Sequence, residues 1–392
     1  MEYYISNKMR NMKPSAVREI FKYAADPQVI SLSAGTPAVE ALPVEAIGQI
    51  MNEIRDHDLH SALLYSVSEG HPPLREALKK YLREEHNSFS DNDDLLIVSG
   101  AQQCMDLTAK VLCDEGDTVL CEDPSFVGNL NCIRSYGVNL VGIPMEEDGI
   151  NLNRLEQALQ EQPRVRFIYL IPNFQNPTGK TMSLEKRKGC YQLAKKYGVV
   201  IFEDDPYGDL RFAGEALPSI KSMDTEGLVI YARTFSKILS AGIRVGYMAL
   251  PEGMFNKFVV AKQCADVHTG MLSQLLCYRF LTEYNLREHI QTIGQIYRRK
   301  CQVMLDALGQ IPSGKLEFTR PQGGLFVWCT LPHVADSSEF CLRLIREHKV
   351  AVVPGNAFLA REGGCSPSFR MTFGAPTDQQ IVKAVEIIAK AL

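Results

Sequence analysis

The sequence predicts an α/β protein, with a mostly parallel seven-stranded sheet covered by helices on both faces and a smaller α+β domain. Two observations lead to this prediction. Seven short apolar runs follow one another between residues 95 and 249, and helical or loop segments separate most of them. After residue 286 the chain changes to short strand patterns interleaved with helices. Continuous apolar runs are typical of strands covered on both faces, as in parallel sheets.

The elements of the predicted large domain follow a regular order. Residues 1–30 form a polar arm in which Ser15 can cap a helix, and helices are predicted over 46–55 and 74–84. The last two apolar runs are joined too tightly for a helical crossover, so one of these two strands is expected to be antiparallel. The seven predicted strands span residues 95–98, 118–121, 140–143, 165–171, 199–202, 228–232 and 245–249.

The carboxy-terminal part of the chain predicts the smaller domain. Helices are predicted over 273–282 and 286–308, and the second is long enough to bridge two domains. We divide the chain into an amino-terminal arm at 1–44 that packs with the small domain, a large domain at 45–285, and an interdomain helix with the small domain at 286–392. The remaining predicted elements are strands at 316–319, 324–329, 350–353 and 368–373 and helices at 337–347 and 378–391.

Composition excludes several classes of protein. With a formal net charge of −4, the chain shows no basic footprint, so we expect neither a nucleic-acid nor a membrane partner. No apolar run approaches the ~20 residues of a membrane span, and the first residues do not resemble a signal peptide. The 11 cysteines are scattered singly, which predicts reduced thiols in a cytoplasmic protein. No Cys/His cluster has zinc-ligand spacing, so no metal is expected.

A lysine beyond the sixth apolar run is the first candidate for chemistry. Lys237 follows the predicted strand at 228–232, where α/β sheets place their ligands. A partly desolvated lysine is neutral more often, and a neutral amine attacks carbonyl groups. Thr234, Ser236 and Arg244 supply two hydroxyls and one fixed positive charge, a set suited to a phosphate monoester. Together they indicate pyridoxal phosphate (PLP) on Lys237, with a solvated turn lysine as the alternative.

Three further motifs suit a bound aromatic phosphate. The turn at 98–103 follows a strand and opens a helix, whose backbone N–H groups can bind phosphate. Phe126 follows a strand and can stack on a pyridine ring, or it is a core aromatic. Asn176 follows the strand at 165–171, where its amide can donate to a phenolate or carboxylate, or it belongs to a polar turn.

Three polar or charged residues complete the candidate site. Asp204 lies at the end of a strand and can pair with a pyridine nitrogen, whereas Asp205 is expected to cap or to face solvent. Tyr207 lies three residues after Asp204 and can donate to the phenolic oxygen. Arg370 lies within an apolar strand, where either a substrate carboxylate or a structural ion pair would explain a buried charge.

These motifs, in their order and spacing, resemble those of the fold-type-I, PLP-dependent aminotransferases of class I/II. The marks are Asn-Pro-Thr-Gly at 176–179, Asp-Asp-Pro-Tyr at 204–207 and Thr-Phe-Ser-Lys at 234–237, with Arg244 and Arg370. The resemblance runs from about residue 13 to the end of the chain. Within the family, the segments 15–22 and 172–179 are similar to the 2-aminoadipate, kynurenine and aromatic aminotransferase branch.

The resemblance implies a ping-pong reaction that moves an amino group from an L-amino acid, such as 2-aminoadipate or an aromatic one, to a 2-oxo acid such as 2-oxoglutarate. Lys237 would form the internal aldimine and move a proton between Cα and C4′. Asp204 would pair with the pyridinium nitrogen, and Tyr207 and Asn176 would bind the O3′ side. Arg370 would bind the substrate α-carboxylate, which Asn176 would also touch.

The remaining implied residues hold the cofactor or line the pocket. Phe126 would stack on the ring, and Gly35 would line the substrate pocket. Tyr65 matches a tyrosine that reaches the phosphate from the neighbouring subunit, which implies a homodimer with shared sites. Thr234 and Ala101 stand where close relatives often have serine. Thr234 keeps the hydroxyl, whereas Ala101 lacks one side-chain contact and keeps its N–H, so somewhat weaker phosphate binding is expected, not its loss. The implied phosphate ligands are Thr234, Ser236, Arg244 and the backbone of Ala101 and Gln102.

Two other functions are compatible with these motifs. A β-lyase, a decarboxylase or a cyclopropane-forming synthase would share the lysine, the aspartate and the arginine. A regulator with an aminotransferase-like domain would carry a DNA-binding domain ahead of it, and only about thirty residues precede the loop at 31–35. Side-chain specificity is not readable from the sequence. Arg18 either faces the pocket and favours acidic side chains, or is a solvated residue of the amino-terminal helix.

Overall fold

A computed structural model of the chain describes residues 3–10, 12 and 26–392. The helix predicted from Ser15 and the candidate Arg18 lie outside these residues. The strands are β1 Ile30–Ser31, β2 Asp93–Val98, β3 Thr118–Asp123, β4 Asn139–Glu146, β5 Gly149–Ile150, β6 Val165–Leu170, β7 Val200–Asp204, β8 Val229–Thr234, β9 Gly246–Pro251, β10 Glu317–Phe318, β11 Phe326–Thr330, β12 Val350–Ala351, β13 Val353–Pro354 and β14 Ser368–Thr372.

Helices follow most strands of the large sheet. Two of them, α5 after β2 and α6 after β3, begin beside the candidate site described below. The helices are α1 Asn7–Arg10, α2 Val44–Glu53, α3 Leu59–Ala62, α4 Pro72–Glu84, α5 Ala101–Leu112, α6 Val127–Arg134, α7 Leu152–Glu161, α8 Leu184–Tyr197, α9 Glu252–Asp266, α10 Met271–Glu283, α11 Leu286–Leu308, α12 Ser338–His348 and α13 Asp378–Ala391.

The large sheet has eight strands in the order β2-β9-β8-β7-β6-β3-β4-β5. The pairs from β8 through β7, β6 and β3 to β4 are parallel, whereas β9 is antiparallel to both of its neighbours. All seven predicted runs are therefore strands, and the tight joint before β9 does produce the expected antiparallel strand. The eighth strand, β5, was not predicted; it is a two-residue hairpin partner of β4 at the sheet edge.

The carboxy-terminal elements form a second sheet, with four strands in the order β10-β11-β14-β13, all antiparallel. The run predicted as one strand at 350–353 is divided, because β12 pairs with β1 and β13 pairs with β14. The parallel pair of β1 and β12 attaches the segment after residue 29 to the carboxy-terminal part of the chain. The proposed domain boundaries at 44/45 and 285/286 stay a prediction.

One buried cluster connects the two sheets. Tyr231 on β8 and Phe369 on β14 belong to it, together with Tyr297 and Met304 of the long helix α11. In the described part of the chain, no helix is long and apolar enough to cross a membrane. Since β7 and β8 are parallel, with Asp204 opposite Ala232, the residues that follow them meet at one sheet edge. That edge carries the candidate site.

Candidate active site

A cavity of about 490 Å³ lies at the carboxyl edge of the large sheet, and β11 and β14 of the second sheet close its other side. It brings together nearly every residue that the sequence singled out. The predicted residues that line it are Gly35, Ala101, Gln102, Phe126, Asn176, Asp204, Tyr207, Thr234, Ser236, Lys237, Arg244 and Arg370. Among the residues described, no group of three or more Cys, His, Asp or Glu side chains is arranged to hold a metal ion.

Lys237 places its amine inside this cavity. The Nζ atom donates a hydrogen bond of 2.8 Å to the carbonyl oxygen of Gly35. Burial lowers the pKa of Lys237 to about 8, and the positive charges of Arg370 and Arg244 act in the same direction, while Asp204 opposes them. A substantial fraction of the amine is therefore neutral near physiological pH, which is the form that attacks a carbonyl carbon.

A cradle for a phosphate group lies on one side of this lysine. Thr234 donates from its hydroxyl to the Ser236 Oγ at 2.9 Å, and an Nη1–H of Arg244 donates to the same oxygen at 3.4 Å. The turn that opens α5 packs closely against Arg244. Gly100 in this turn has a φ of +83°, and a Cβ at this position would lie 2.3 Å from the Arg244 Nη2 atom. The free N–H groups at the start of α5 and the Arg244 charge together suit a dianion.

Asp204 ends β7 with its carboxylate turned into the cavity and only 5% of the residue exposed. Its Oδ2 accepts hydrogen bonds from the Tyr169 hydroxyl at 3.1 Å and from the Asn129 amide at 3.0 Å. Its Oδ1 is buried and has no partner among the described residues. Burial raises the pKa of Asp204 to about 7 against the lowering effect of these two donors. An unsatisfied buried carboxylate oxygen indicates a missing donor.

The prediction that Asp205 caps or faces solvent is wrong. Asp205 is 3% exposed and points away from the cavity. Its oxygens accept hydrogen bonds from the Asn173 amide at 2.9 Å and from the Tyr231 hydroxyl at 2.7 Å, and the Arg233 guanidinium lies 3.8 Å away. Burial alone would raise the pKa of this carboxyl, but Arg233 and the two donors outweigh it and hold the pKa below its usual value. Asp205 is thus a buried structural anion.

Arg370 is buried on β14 without a carboxylate partner among the described residues. Its Nη1 donates to the Asn176 Oδ1 at 2.8 Å and its Nη2 donates to the Ser33 carbonyl at 2.5 Å, while Nε has no acceptor. The guanidinium lies 4.3 Å from the ring centre of Phe326 and 4.9 Å from that of Phe358. Burial lowers the pKa of Arg370 to about 10. A buried cation that lacks an anion indicates an anionic ligand.

The other predicted residues hold varied positions. The Tyr207 hydroxyl accepts a hydrogen bond from the Asn176 amide at 3.4 Å. A Cβ at Gly35 would lie 2.9 Å from the Phe326 ring, so this glycine widens the cavity. Tyr65 is 89% exposed and does not line the cavity of its own chain. Its nearest aromatic neighbour is His268, with ring centres 5.8 Å apart.

Sequence reasoning missed three residues at this site. Asn129 lies in α6, three residues after Phe126, which precedes the helix in an extended conformation, and both residues line the cavity. Tyr169 is a buried residue of β6, and nothing in the apolar run of that strand marks it as a partner of Asp204. Phe326 lies beside Arg370, within a strand pattern that gave no local signal. Only the nearness of Asn129 to the predicted Phe126 along the chain offered a signal in the sequence.

The donor set fits PLP. The cradle offers hydroxyls, helix N–H groups and Arg244 to a phosphate, and the unpartnered Asp204 Oδ1 offers an acceptor to a protonated ring nitrogen. The amine of Lys237 lies in the same cavity as the ring of Phe126. The fold and the site together define a PLP-dependent enzyme of fold type I.

Comparisons with known proteins agree with this class. The chain matches the sequence profile described as "Aminotransferase class I and II" over residues 27–388. It is 36% identical to aromatic-amino-acid aminotransferase 1 of Thermococcus litoralis, across 100% of this chain and 94% of that protein.

Two solved structures are similar to the whole chain. One is a kynurenine aminotransferase of Pyrococcus horikoshii, with a TM-score of 0.95 and 36% identity, across 99% of this chain and 96% of the other. The second is an α-aminoadipate aminotransferase of Thermus thermophilus complexed with N-(5′-phosphopyridoxyl)-L-leucine, with a TM-score of 0.91 and 35% identity, across 99% and 97% of the two chains. The chain belongs to the aminotransferase class I and II family and is a PLP-dependent aminotransferase.

Proposed function

We propose that the enzyme transfers the amino group of an L-amino acid, of the 2-aminoadipate or aromatic kind, to a 2-oxo acid such as 2-oxoglutarate by a ping-pong mechanism. One observation above all supports this proposal. The buried Arg370 has no anionic partner among the described residues and shares a cavity with Lys237, whose pKa is about 8. A carboxylate held by Arg370 would place an amino acid beside that amine.

PLP, when bound, supplies an electron sink for the pair left at the substrate Cα after deprotonation. Lys237 is the group we assign to carry the proton to and from that carbon, because its lowered pKa provides a neutral base inside the cavity. Asp204 would offer a negative charge to the ring nitrogen. Tyr207 and Asn176 line the same cavity and are joined by a hydrogen bond, and we assign them to the phenolic oxygen.

We assign cofactor retention to the cradle and to one aromatic ring. Phe126 lies at the start of α6 and lines the cavity, where its face can cover one side of a pyridine ring. The cradle would hold the phosphate through charge and donated hydrogen bonds. Its members are Thr234, Ser236, Arg244 and the backbone N–H groups of Ala101 and Gln102.

The substrate side chain would meet mostly apolar surface. Val127, Phe326 and Gly35 line the same cavity as Arg370, which favours an aromatic or aliphatic group. The names of the relatives include both aromatic and 2-aminoadipate donors.

Arg18 remains our candidate for binding an acidic substrate side chain. Measuring the activity of Arg18→Gln on glutamate and on an aromatic donor decides whether Arg18 contributes to specificity. An equal loss on both donors, or no loss, removes Arg18 from the specificity argument.

We also propose a cytoplasmic homodimer in which Tyr65 serves the partner's site. Leu63 and Leu64, which precede Tyr65, are 76% and 66% exposed. An exposed run of this kind is typical of a surface covered by another subunit. The exposed Tyr65 hydroxyl is then available to a phosphate held by the second copy of the chain.

A panel of amino donors, each incubated with 2-oxoglutarate while the glutamate formed is measured, tests the proposed reaction. We expect glutamate and the matching oxo acid in equal amounts, with half-reactions that proceed separately. Release of carbon dioxide or of a side-chain fragment without 2-oxoglutarate would instead identify a decarboxylase or a β-lyase.

Arg370→Lys should lower kcat/KM for every amino donor to a similar extent, because Arg370 is assigned to the carboxylate that all donors share. A loss confined to some donors would contradict that assignment.

A further inference from the structure

Two adjacent carboxylates at the end of β7 are held by the same pair of residue types. Asp204 receives the Tyr169 hydroxyl and the Asn129 amide. Asp205 receives the Tyr231 hydroxyl and the Asn173 amide. The two arrangements lie back to back, and only the one around Asp204 opens into the cavity. Their likeness makes the differences between them informative.

The first difference is in the use of the oxygens. Both oxygens of Asp205 accept hydrogen bonds, and the cation of Arg233 lies nearby. At Asp204 both donors converge on Oδ2, so Oδ1 is left buried without a partner among the described residues. A buried carboxylate oxygen without a donor is costly, and within the described part of the chain Asp204 Oδ1 is the one of this kind that faces the cavity, where a ligand can satisfy it.

The second difference is in charge. The groups that hold Asp204 are neutral, so they support its negative charge without cancelling it. A cation in their place would compete with a protonated ring nitrogen for the same carboxylate. The other ionisable groups that act on Asp204 are Lys237, Asp205, Tyr207, Glu122 and Cys104. Of these, only Lys237 carries a positive charge, and its amine is bonded to the Gly35 carbonyl.

We propose that Tyr169 and Asn129 are positioning residues that fix the Asp204 carboxylate with Oδ1 facing the nitrogen of the cofactor ring. This inference rests on the proposed function of Asp204. The three side chains form a closed triangle, since the Asn129 amide also donates to the Tyr169 hydroxyl at 2.8 Å. They come from α6, β6 and β7, so rotation of the carboxylate would break contacts to two other elements. A preorganised charge of this kind needs no rearrangement when its partner arrives.

The test compares two ligands that differ at one ring atom. The full chain, freed of cofactor, is titrated with pyridoxamine phosphate and with an analogue in which carbon replaces the ring nitrogen. The Kd of the analogue divided by the Kd of pyridoxamine phosphate measures what the nitrogen contributes. We expect Tyr169→Phe and Asn129→Leu each to lower this ratio about tenfold, the effect of losing one hydrogen bond to a charged group.

Tyr231→Phe is the matched control, because it removes the same hydroxyl from the neighbouring Asp205 and should leave the ratio unchanged. If Tyr169 had a merely structural role, Tyr169→Phe would raise the Kd of both ligands equally and leave the ratio unchanged. An unchanged ratio in both Tyr169→Phe and Asn129→Leu overturns the inference. If Tyr169→Phe does not fold, Asn129→Leu decides. Asp204→Asn should also lower the ratio; if it does not, the proposed role of Asp204 itself fails.

Discussion

At the scale of single residues, the site contains charges whose burial is only partly compensated by the residues that the structure describes. Burial shifts the pKa of Lys237 to about 8, that of Asp204 to about 7 and that of Arg370 to about 10. Each shift favours the neutral form of the group. A phosphorylated, cationic ring and a substrate carboxylate would restore the missing partners. Clusters of such perturbed groups in one cavity are typical of active sites.

Covalent attachment of the cofactor should depend on Lys237 and on pH. Since the neutral amine predominates only above its pKa, the rate of attachment to the cofactor-free protein should rise with pH and level off above about 8. Stopped-flow absorbance measures this rate. Borohydride reduction and peptide mapping should place the pyridoxyl group on Lys237, and a label on another lysine would contradict the assignment. Lys237→Ala should be inactive and still bind PLP through the cradle.

Activity should distinguish the two adjacent aspartates. Asp204→Ala should lower kcat by roughly 10²-fold or more, because it removes the charge that we propose faces the ring. Asp205→Asn should affect kcat less, since Asp205 does not line the cavity. Steady-state kinetics on folded protein, checked by circular dichroism, measures both effects. A larger loss of kcat in Asp205→Asn would mean that the wrong carboxylate was chosen.

Stability should also distinguish these two aspartates, because their carboxyl groups change the free energy of unfolding with pH in opposite directions. The Asp204 pKa is raised from 3.8 to about 7, so the folded cofactor-free protein holds a proton that the unfolded chain releases, and its stability falls as pH rises between these values. Asp204→Asn should reduce this loss by up to a few kcal/mol. The Asp205 pKa is lowered, so its carboxylate stabilises the fold above the unfolded pKa.

Asp205→Asn should therefore cost stability at neutral pH and little in strong acid, where the carboxylate is protonated in both states. Urea unfolding at about pH 2, about pH 4.5 and about pH 7.5 measures the free energy of unfolding for each variant, because Asp205 titrates below 3.8 and Asp204 between 3.8 and about 7. Asp205→Asn should differ from the wild type in its pH dependence over the lower interval, and Asp204→Asn over the upper one. Wild-type pH dependence in either variant over its own interval would refute the assigned pKa direction. Tyr231→Phe, which removes one donor to Asp205, should show a smaller effect of the same sign as Asp205→Asn.

At the scale of elements, the site depends on how β2 passes into α5. Gly100 adopts a φ of +83° there, and the backbone runs so close to Arg244 that no side chain fits between them. Gly246 on β9 adds a second close approach, since a Cβ there would lie 2.9 Å from the Ala101 nitrogen. The strand, the helix start and the arginine are therefore packed as one unit that presents N–H groups and a charge to the same point.

Replacing Gly100 should weaken phosphate binding specifically. In Gly100→Ala the new Cβ would meet the Arg244 guanidinium at 2.3 Å, so the arginine must leave its place in the cradle. We expect at least about a tenfold rise in the Kd for PLP, because a charge-assisted contact is lost. Gly198→Ala is the matched control: Gly198 also has a positive φ, of +64°, but a Cβ there meets nothing within 4 Å.

Gly198 is left-handed helical, with a ψ of 35°, so Gly198→Ala carries backbone strain of about 1 kcal/mol. Gly100 has a ψ of 159°, a conformation essentially restricted to glycine, so Gly100→Ala carries about 1–3 kcal/mol, and urea unfolding measures both. Only Gly100→Ala should also change the Kd for PLP. Equal Kd values in the two variants would show that the close approach of Gly100 to Arg244 plays no part in holding the phosphate.

At the scale of the whole molecule, one buried cluster joins the two sheets, and the proposed second subunit would complete the site. The cluster includes residues of β8, α11 and β14, so the walls of the cavity are packed on a shared core. Tyr65 lies on the surface, away from its own cavity, where only another chain would give its hydroxyl a role at the phosphate. Exposed apolar neighbours make the same surface a suitable interface.

Mixed dimers should reveal shared sites. Tyr65→Asp places a carboxylate that repels phosphate, and Lys237→Ala removes the catalytic amine, so each homodimer should have little or no activity. In a mixed dimer one site receives both lesions and the other receives neither. Random mixing by co-refolding should restore roughly a quarter of wild-type activity, because half of the dimers are mixed and half of their sites are intact. If mixed dimers form without regaining activity, while Tyr65→Asp alone is inactive, Tyr65 serves its own subunit.

The sequence by itself determined the order of the strands along the chain and the location of the site. Apolar runs identify buried strands because burial on both faces requires a continuous apolar pattern, and the short joint before β9 forces an antiparallel strand. Polar motifs at successive strand ends then predict a common edge. The structure places the predicted Lys237, Asp204 and Arg370 in one cavity for this reason.

Only the tertiary structure decided which groups satisfy one another. Asp204 and Asp205 are adjacent in the sequence, yet their side chains point to opposite sides, and the partners of each come from distant segments. The run at 350–353 looks continuous, but its two halves pair with β1 and with β14. Local patterns report the burial of apolar runs, whereas the burial of a polar residue such as Asp205, and its hydrogen-bond partners, depend on which segments meet in space. The unpartnered oxygen of Asp204 is therefore visible only in the folded chain.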